Sequence, residues 1–185
     1  VEPPDPYTSG TATNRIPVGN VTTAEGVSNP VEASAGSRFV DISLAVNNLL
    51  NPLFVSAGET STLTVQLINT TPSTPIVGTH FVDNLPTGMI LASPPNGATT
   101  CAGGVVTAAA GGTTFSFAGG TVPAASNCTV TVEVTAIVSG TLTNPIPAGD
   151  VLSTTGASNL QPAEASLTYT PGFTVLKTFN PSSVT

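Results

Sequence analysis

Charge is scarce in this sequence. Only 7% of its 185 residues are Asp, Glu, Lys or Arg, against roughly 25% in an ordinary soluble domain. Arg15, Arg38 and Lys177 are the only cations, and with ten carboxylates they leave a net charge of −7. Binding to a nucleic-acid backbone needs clustered Lys and Arg, so nucleic acid is excluded as a partner. Anionic membrane surfaces are disfavoured for the same reason. Tryptophan is absent and aromatics make up 5%, so the clustered rings of a glycan-binding face are missing. A single histidine, His80, leaves few side chains for general acid–base chemistry. No run of eighteen apolar residues exists, so no helical membrane span is expected. Val1 is not an initiator Met, and no basic segment with an apolar core follows it. The numbered chain is therefore expected to be processed, or a piece of something longer.

Val, Ala, Leu, Ile, Thr and Ser dominate what remains. Val and Thr are stiff at χ1 and favour strands. Gly (18) and Pro (17) are frequent, as turns between short strands require. Val40, Ile42, Leu44 and Val46 alternate with Asp41, Ser43 and Ala45. Leu63, Val65 and Leu67 alternate with Thr62, Thr64 and Gln66. From Cys128 to Val138 the even positions are apolar and most odd ones polar. This period of two predicts half-buried strands and argues against disorder. Shorter strands are predicted at Val77–Asp83, Met89–Ala92, Val105–Ala108, Thr113–Phe117, Gly140–Ile146 and Glu164–Tyr169. Ala57-Gly58, Leu85-Pro86-Thr87-Gly88, Gly103-Gly104, Gly111-Gly112 and Gly119-Gly120 read as turns between them. No amphipathic helix is evident. The expected fold is all-β, an Ig-like β-sandwich.

The strongest signal is internal similarity. Ser9 to Gly19 recurs as Ser139 to Gly149, with eight of eleven positions identical at an offset of 130. Gly26, Ser28 and Asn29 recur as Gly156, Ser158 and Asn159. Pro30-Val31-Glu32-Ala33-Ser34 recurs as Pro162-Ala163-Glu164-Ala165-Ser166, at offset 132. Leu50-Asn51-Pro52-Leu53-Phe54-Val55 recurs as Phe179-Asn180-Pro181-Ser182-Ser183-Val184, at offset 129. Three segments are therefore expected. Residues 1–38 hold the last strands of a preceding repeat, 39–169 one complete repeat, and 170–185 the first strand of the following one.

Several stretches carry a family resemblance. They are Phe179 to Val184, Gly58-Glu59-Thr60-Ser61-Thr62-Leu63-Thr64-Val65, Phe81-Val82-Asp83-Asn84-Leu85-Pro86-Thr87-Gly88-Met89, Cys128 to Val132, and Thr143-Asn144-Pro145-Ile146-Pro147-Ala148-Gly149. Together they resemble the bacterial conserved-repeat family known as domain of unknown function eleven. That resemblance implies tandem Ig-like sandwiches in large secreted or surface proteins, with no catalytic residues and no cofactor. The implied role is extracellular architecture, an analogy at the level of fold.

Candidate chemistry is thin. Cys101 and Cys128, with no CxxC motif, read as one disulfide in an oxidising compartment, with two buried free thiols as the alternative. His80 and Asp83 lie three apart on a predicted strand and should face opposite ways, and no G-x-S-x-G elbow accompanies them. The carboxylates are scattered, so a calcium loop is missing; Glu2 or Asp5 with backbone carbonyls is the one junction site considered. Zinc lacks ligands. The glycine pairs lack the pattern of a phosphate loop and read as hairpin turns. Asn20, Asn69 and Asn127 head glycosylation sequons. Lys177 lies on an expected first strand, where surface Ig-like domains sometimes join a lysine to a late-strand asparagine such as Asn14 or Asn144. At offset 129, however, Lys177 matches Asn48, so the complete repeat lacks the amine there. The reading that follows is a non-enzymatic structural segment of a secreted bacterial surface protein. Head-to-tail repeats, with strand exchange as a further device, would build a filament, stalk or sheath. Its expected partners are neighbouring copies, with no nucleic acid and no membrane insertion. The alternative is an adhesin module that recognises a glycan or cell surface.

Overall fold

A computed structural model describes residues 10–39 and 44–172. The chain divides into two compact units, Val1–Asp41 and Ile42–Thr185. Every regular element among the described residues is a strand. The expected strand at 170–185 with Lys177, the Glu2 and Asp5 position, and Val40 and Ile42 lie outside the described residues, Thr170–Gly172 apart.

The first unit is a hairpin of β1 (Gly10–Ile16) and β2 (Ala33–Phe39). The strands pair antiparallel from Gly10↔Phe39 to Ile16↔Ala33. The connection is organised by one side chain. Asn29 Oδ1 accepts from the Val21 N–H, and Asn29 Nδ2 donates to the carbonyls of Pro17 and Val31 at 3.0 and 2.8 Å. Gly19 N–H donates to the Asn29 carbonyl. Gly19 and Gly26 sit at φ 81°, a region open to glycine and strained for other residues. Along the hairpin Ile16, Val18, Val21, Val27 and Val31 are exposed.

The second unit holds β3 (Leu44–Asn51), β4 (Phe54–Ser56), β5 (Ser61–Asn69), β6 (Ile76–Asn84), β7 (Met89–Leu91), β8 (Ala98–Thr99), β9 (Val105–Ala108), β10 (Thr114–Val122), β11 (Ser126–Ala136), β12 (Gly140–Ile146) and β13 (Ala163–Thr170). One sheet has the order β3-β5-β11-β7, with β8 also on β11. Two three-stranded sheets, β6-β10-β9 and β12-β13-β4, complete the sandwich. A bridge between His80 and Leu152 links β6 to the loop after β12. All pairs are antiparallel except β13 with β4.

Alternation positions the core. On β5, Leu63, Val65 and Leu67 are fully buried; on β11, Cys128, Val130, Val132, Val134 and Ala136 are buried too. They pair as Cys128↔Leu67, Val130↔Val65 and Val132↔Leu63. Phe81, Phe115 and Phe117 join the same cluster, with Phe81 edge-on to Phe115 at 5.9 Å. Each large side chain so buried contributes about 1.5–3 kcal/mol.

Three sequence expectations need correction. The long strand ends at Ala136, so Val138 lies beyond it and is half exposed. Gly119-Gly120 is a bulge inside β10 rather than a turn between strands: the register against β6 shifts between Phe117 and Gly120. A Cβ at Gly120 would collide with the Phe117 ring, so the bulge makes room for a core aromatic. Finally, β12 pairs with β13 from Gly140↔Tyr169 to Ile146↔Ala163. Compared with β1–β2, both strands keep one offset of 130, whereas the Pro-x-Glu-Ala-Ser match has offset 132. A slip of two leaves the same faces pointing the same way, so alternating sequence alone tolerates it.

The loop after β12 is built as the first hairpin's is. Asn159 Oδ1 accepts from Val151 N–H, and Asn159 Nδ2 donates to the carbonyls of Pro147 and Gln161. Gly149 N–H donates to the Asn159 carbonyl. Ala157 N–H meets Ser153 Oγ where Val27 N–H meets Thr23 Oγ1. Each of these bonds lies 130 residues after its counterpart.

Candidate functional site

The sandwich core contains one concentrated polar site. It forms where three strands from three sheets each turn a polar residue inward. Asn48 occupies an inward position of β3 between Val46 and Leu50 and is 5% exposed. Asp83 is inward on β6 at 3%, and Asn144 inward on β12 at 0%. Asn48 Nδ2 donates to the Asn144 backbone carbonyl at 3.0 Å. Asn144 Nδ2 donates to Asp83 Oδ2 at 2.9 Å.

The site is short of donors. Asn48 Oδ1, Asp83 Oδ1 and Asn144 Oδ1 are buried and accept no hydrogen bond. A buried polar atom left in this way costs about 1–3 kcal/mol. Burial pushes the Asp83 carboxyl up from its ordinary 3.8 to about 6; the Asn144 hydrogen bond opposes this, and the Asp150 charge adds to it. Asp83 and Asp150 line a small cleft of about 160 Å³ with Pro145 and Pro147. Among the described residues the salt bridge present is Arg15–Glu32, at 3.1 Å in the first unit. Asp83 is thus a carboxyl without a salt-bridge partner among the described residues, held by the Asn144 amide.

The predicted cysteines meet. Cys101 and Cys128 are bonded through sulfur with Cα atoms 5.0 Å apart, and both are buried as the apolar face of β11 requires. Closing a loop of 27 residues is worth about 3–4 kcal/mol in the chain-entropy model. His80 is exposed and Asp83 buried, on opposite faces of β6. His80 Nδ1 lies 2.9 Å from the Gly78 carbonyl oxygen. His80 shares an open groove of about 460 Å³ with Phe117, Asp150 and Leu152. The sequon residue Asn69 is buried and donates to the Thr74 and Val122 carbonyls, which closes it to glycosylation. Among the described residues, no three His, Cys, Asp or Glu side chains gather as a metal site. No helix there is long and apolar enough to cross a membrane.

Sequence reading noted Asn144 and Asp83 within motifs and Asn48 only as the counterpart of Lys177. The signal that could have joined them is placement: each stands at an inward position of an alternating strand, where an apolar residue belongs.

Fold and site define a disulfide-closed β-sandwich module with a polar cluster in its core. The chain belongs to the family "Domain of unknown function (DUF7933)", which matches residues 45–169. That family differs by name from the conserved-repeat family the sequence resembles. No curated protein matches the chain. Among solved structures, a cohesin module from a Clostridium perfringens family 33 glycoside hydrolase is similar at 12% identity and TM-score 0.49. The match covers 70% of this chain and all of that one. A yeast delta-COP-I mu-homology domain is similar at 11% identity and TM-score 0.31, over 80% of this chain and 64% of that one.

Proposed function

We propose that this chain is a structural segment of a large secreted bacterial surface protein. In this reading, β-sandwich repeats of about 130 residues follow one another head to tail and build an extracellular filament, stalk or sheath. The role is mechanical and non-catalytic, and the partners are neighbouring copies. The observation that carries the reading is the paired hairpins. β1–β2 repeats β12–β13 in register and in its asparagine-centred loop bonds. Yet Ile16, Val21 and Val27 are exposed on the first hairpin where Ile146, Val151 and Ala157 are buried on the second. A two-stranded hairpin cannot bury an apolar face alone. The rest of a preceding repeat covers that face, either in a continuous chain or by strand addition between subunits. The disulfide supports an oxidising compartment outside the cytosol.

Electron microscopy of the parent material tests this. Regular fibres or beads at a constant spacing are expected, and dispersed globular monomers would overturn the proposal. A glycan array probed with the 185-residue chain should stay blank; a saturable hit would favour the adhesin alternative.

A further inference from the structure

Two of the buried oxygens without donors belong to one contact. Asn144 Nδ2 donates to Asp83 Oδ2 at 2.9 Å. The second oxygen of each group, Asp83 Oδ1 and Asn144 Oδ1, is buried and accepts nothing. An ionised carboxylate and an amide oxygen can only accept, so with Asp83 charged the pair makes one bond and strands two acceptors. The surroundings supply no cation. The sequence has no Lys or Arg between residues 44 and 172. Phe115 stands opposite Asp83 on β10, β12 and β3 bring the amides of Asn144 and Asn48, and His80 lies on the other face of β6. Asp150, across the small cleft, is the charged group that bears on Asp83, and its sign is the same. A proton on Asp83 Oδ1 repairs both ends at once. The new O–H donates to Asn144 Oδ1, and acid and amide close a ring of two hydrogen bonds.

We propose that Asp83 and Asn144 form a closed acid–amide pair, with a proton held between Asp83 Oδ1 and Asn144 Oδ1, and that this pair is a pH-operated latch holding β12 on β6. The two residues come from different sheets, so the pair ties the β12–β13 hairpin to the β6-β10-β9 sheet. When the proton leaves, two oxygens without donors remain inside the sandwich beside the Asp150 charge, and the latch loosens. Burial favours the neutral form of such a carboxyl, and Asp83 is pushed up from 3.8 to about 6. The closed pair keeps a proton that an opened one gives up. Closure is therefore strongest below pH 3.8 and weakens as the pH rises through about 6. The latch rests on the described unit alone and is independent of the repeat reading.

The test compares the 185-residue chain with its Asp83→Asn variant by amide hydrogen exchange on β12 between pH 4 and 7. An amide at position 83 has the shape of the neutral acid and keeps both bonds: its N–H donates to Asn144 Oδ1, and its oxygen accepts from Asn144 Nδ2. Protection factors divide out the pH dependence of the chemical step. On β12 they should fall about a hundredfold in the wild-type chain, the factor implied by a carboxyl moved from 3.8 to about 6. In Asp83→Asn they should stay level, and at pH 4 the two chains should be equally stable. A parallel fall in both chains overturns the proposal. So does an Asp83→Asn chain that fails to fold or is clearly less stable at pH 4, because a closed acid–amide pair accepts an amide substitute. The side-chain carbon-13 signal of Asp83 gives a reading that needs no variant. At pH 5 it should have the shift of a neutral acid, and the shift of an ionised carboxylate would overturn the proposal. Stabilisation of the wild type by calcium chloride at pH 7.5, lost in Asp83→Asn, would assign these oxygens to a bound cation and overturn it as well.

Discussion

The two hairpins β1–β2 and β12–β13 are a natural controlled experiment. Their strands pair in the same register, and Asn29 and Asn159 bond to corresponding partners. Their surroundings differ completely. Ile16 is 41% exposed and Ile146 4%; Val21 is 53% exposed and Val151 0%. The local fold therefore needs only local chemistry: glycines at positive φ, an asparagine that satisfies three backbone groups, and threonine- and serine-rich strands. Stability needs a second layer, which β12–β13 has within its own unit.

That contrast can be broken by substitution. The largest effect is expected at the paired isoleucines. Ile146→Ala should lower the unfolding free energy of the 42–185 unit by about 4 kcal/mol, as for a fully buried large-to-small change. Ile16→Ala should stay within about 0.5 kcal/mol, as for exposed sites. Urea denaturation of the two variants measures both. Equal losses would mean that the first hairpin is also packed.

The loop asparagines come next. Asn159→Ala strands the buried Val151 N–H and removes the partner of the part-buried Pro147 and Gln161 carbonyls, and should cost about 3 kcal/mol. Asn29→Ala leaves its partners exposed to water and should leave the main transition unmoved.

A smaller effect separates the units by pH. The Asp83 carboxyl is raised from 3.8 to about 6 in the folded state, so the fold holds a proton that the unfolded chain has released. That stabilisation is fully present below pH 3.8. It is lost as pH rises through about 6, and the loss amounts to about 2–3 kcal/mol. Asp83→Asn should flatten this dependence between pH 4 and 8 in thermal melts. A profile unchanged by Asp83→Asn would remove the carboxyl from the account.

Much of this architecture was legible in alternation. The ends of β9 and β12 are those the pattern predicts, and the apolar face of β11 correctly carried Cys128. What was not legible depends on partners far away in the chain. β4 and β8 are three and two residues long and exist because β13 and β11 lie beside them. The bulge at Gly119-Gly120 answers the ring of Phe117, which no local turn signal encodes. Asn48 looks unremarkable in sequence, because its meaning comes from Asn144, 96 residues later. The slip between offsets 130 and 132 has the same origin: period-two sequence fixes the face, and only strand pairing fixes the register.

The central claim is that the first hairpin is one half of an interrupted sandwich. The direct measurement is amide hydrogen exchange on a longer chain, in which residues 40–139 are repeated in front of Gly10. The added segment then supplies the layer that β1–β2 lacks. The Val21 and Asn29 amides should exchange within seconds to minutes in the 185-residue chain. In the longer chain they should slow to the rates of Val151 and Asn159, whose protection reports the opening of a packed unit. Unchanged fast exchange at Val21 and Asn29 in the longer chain would contradict the claim.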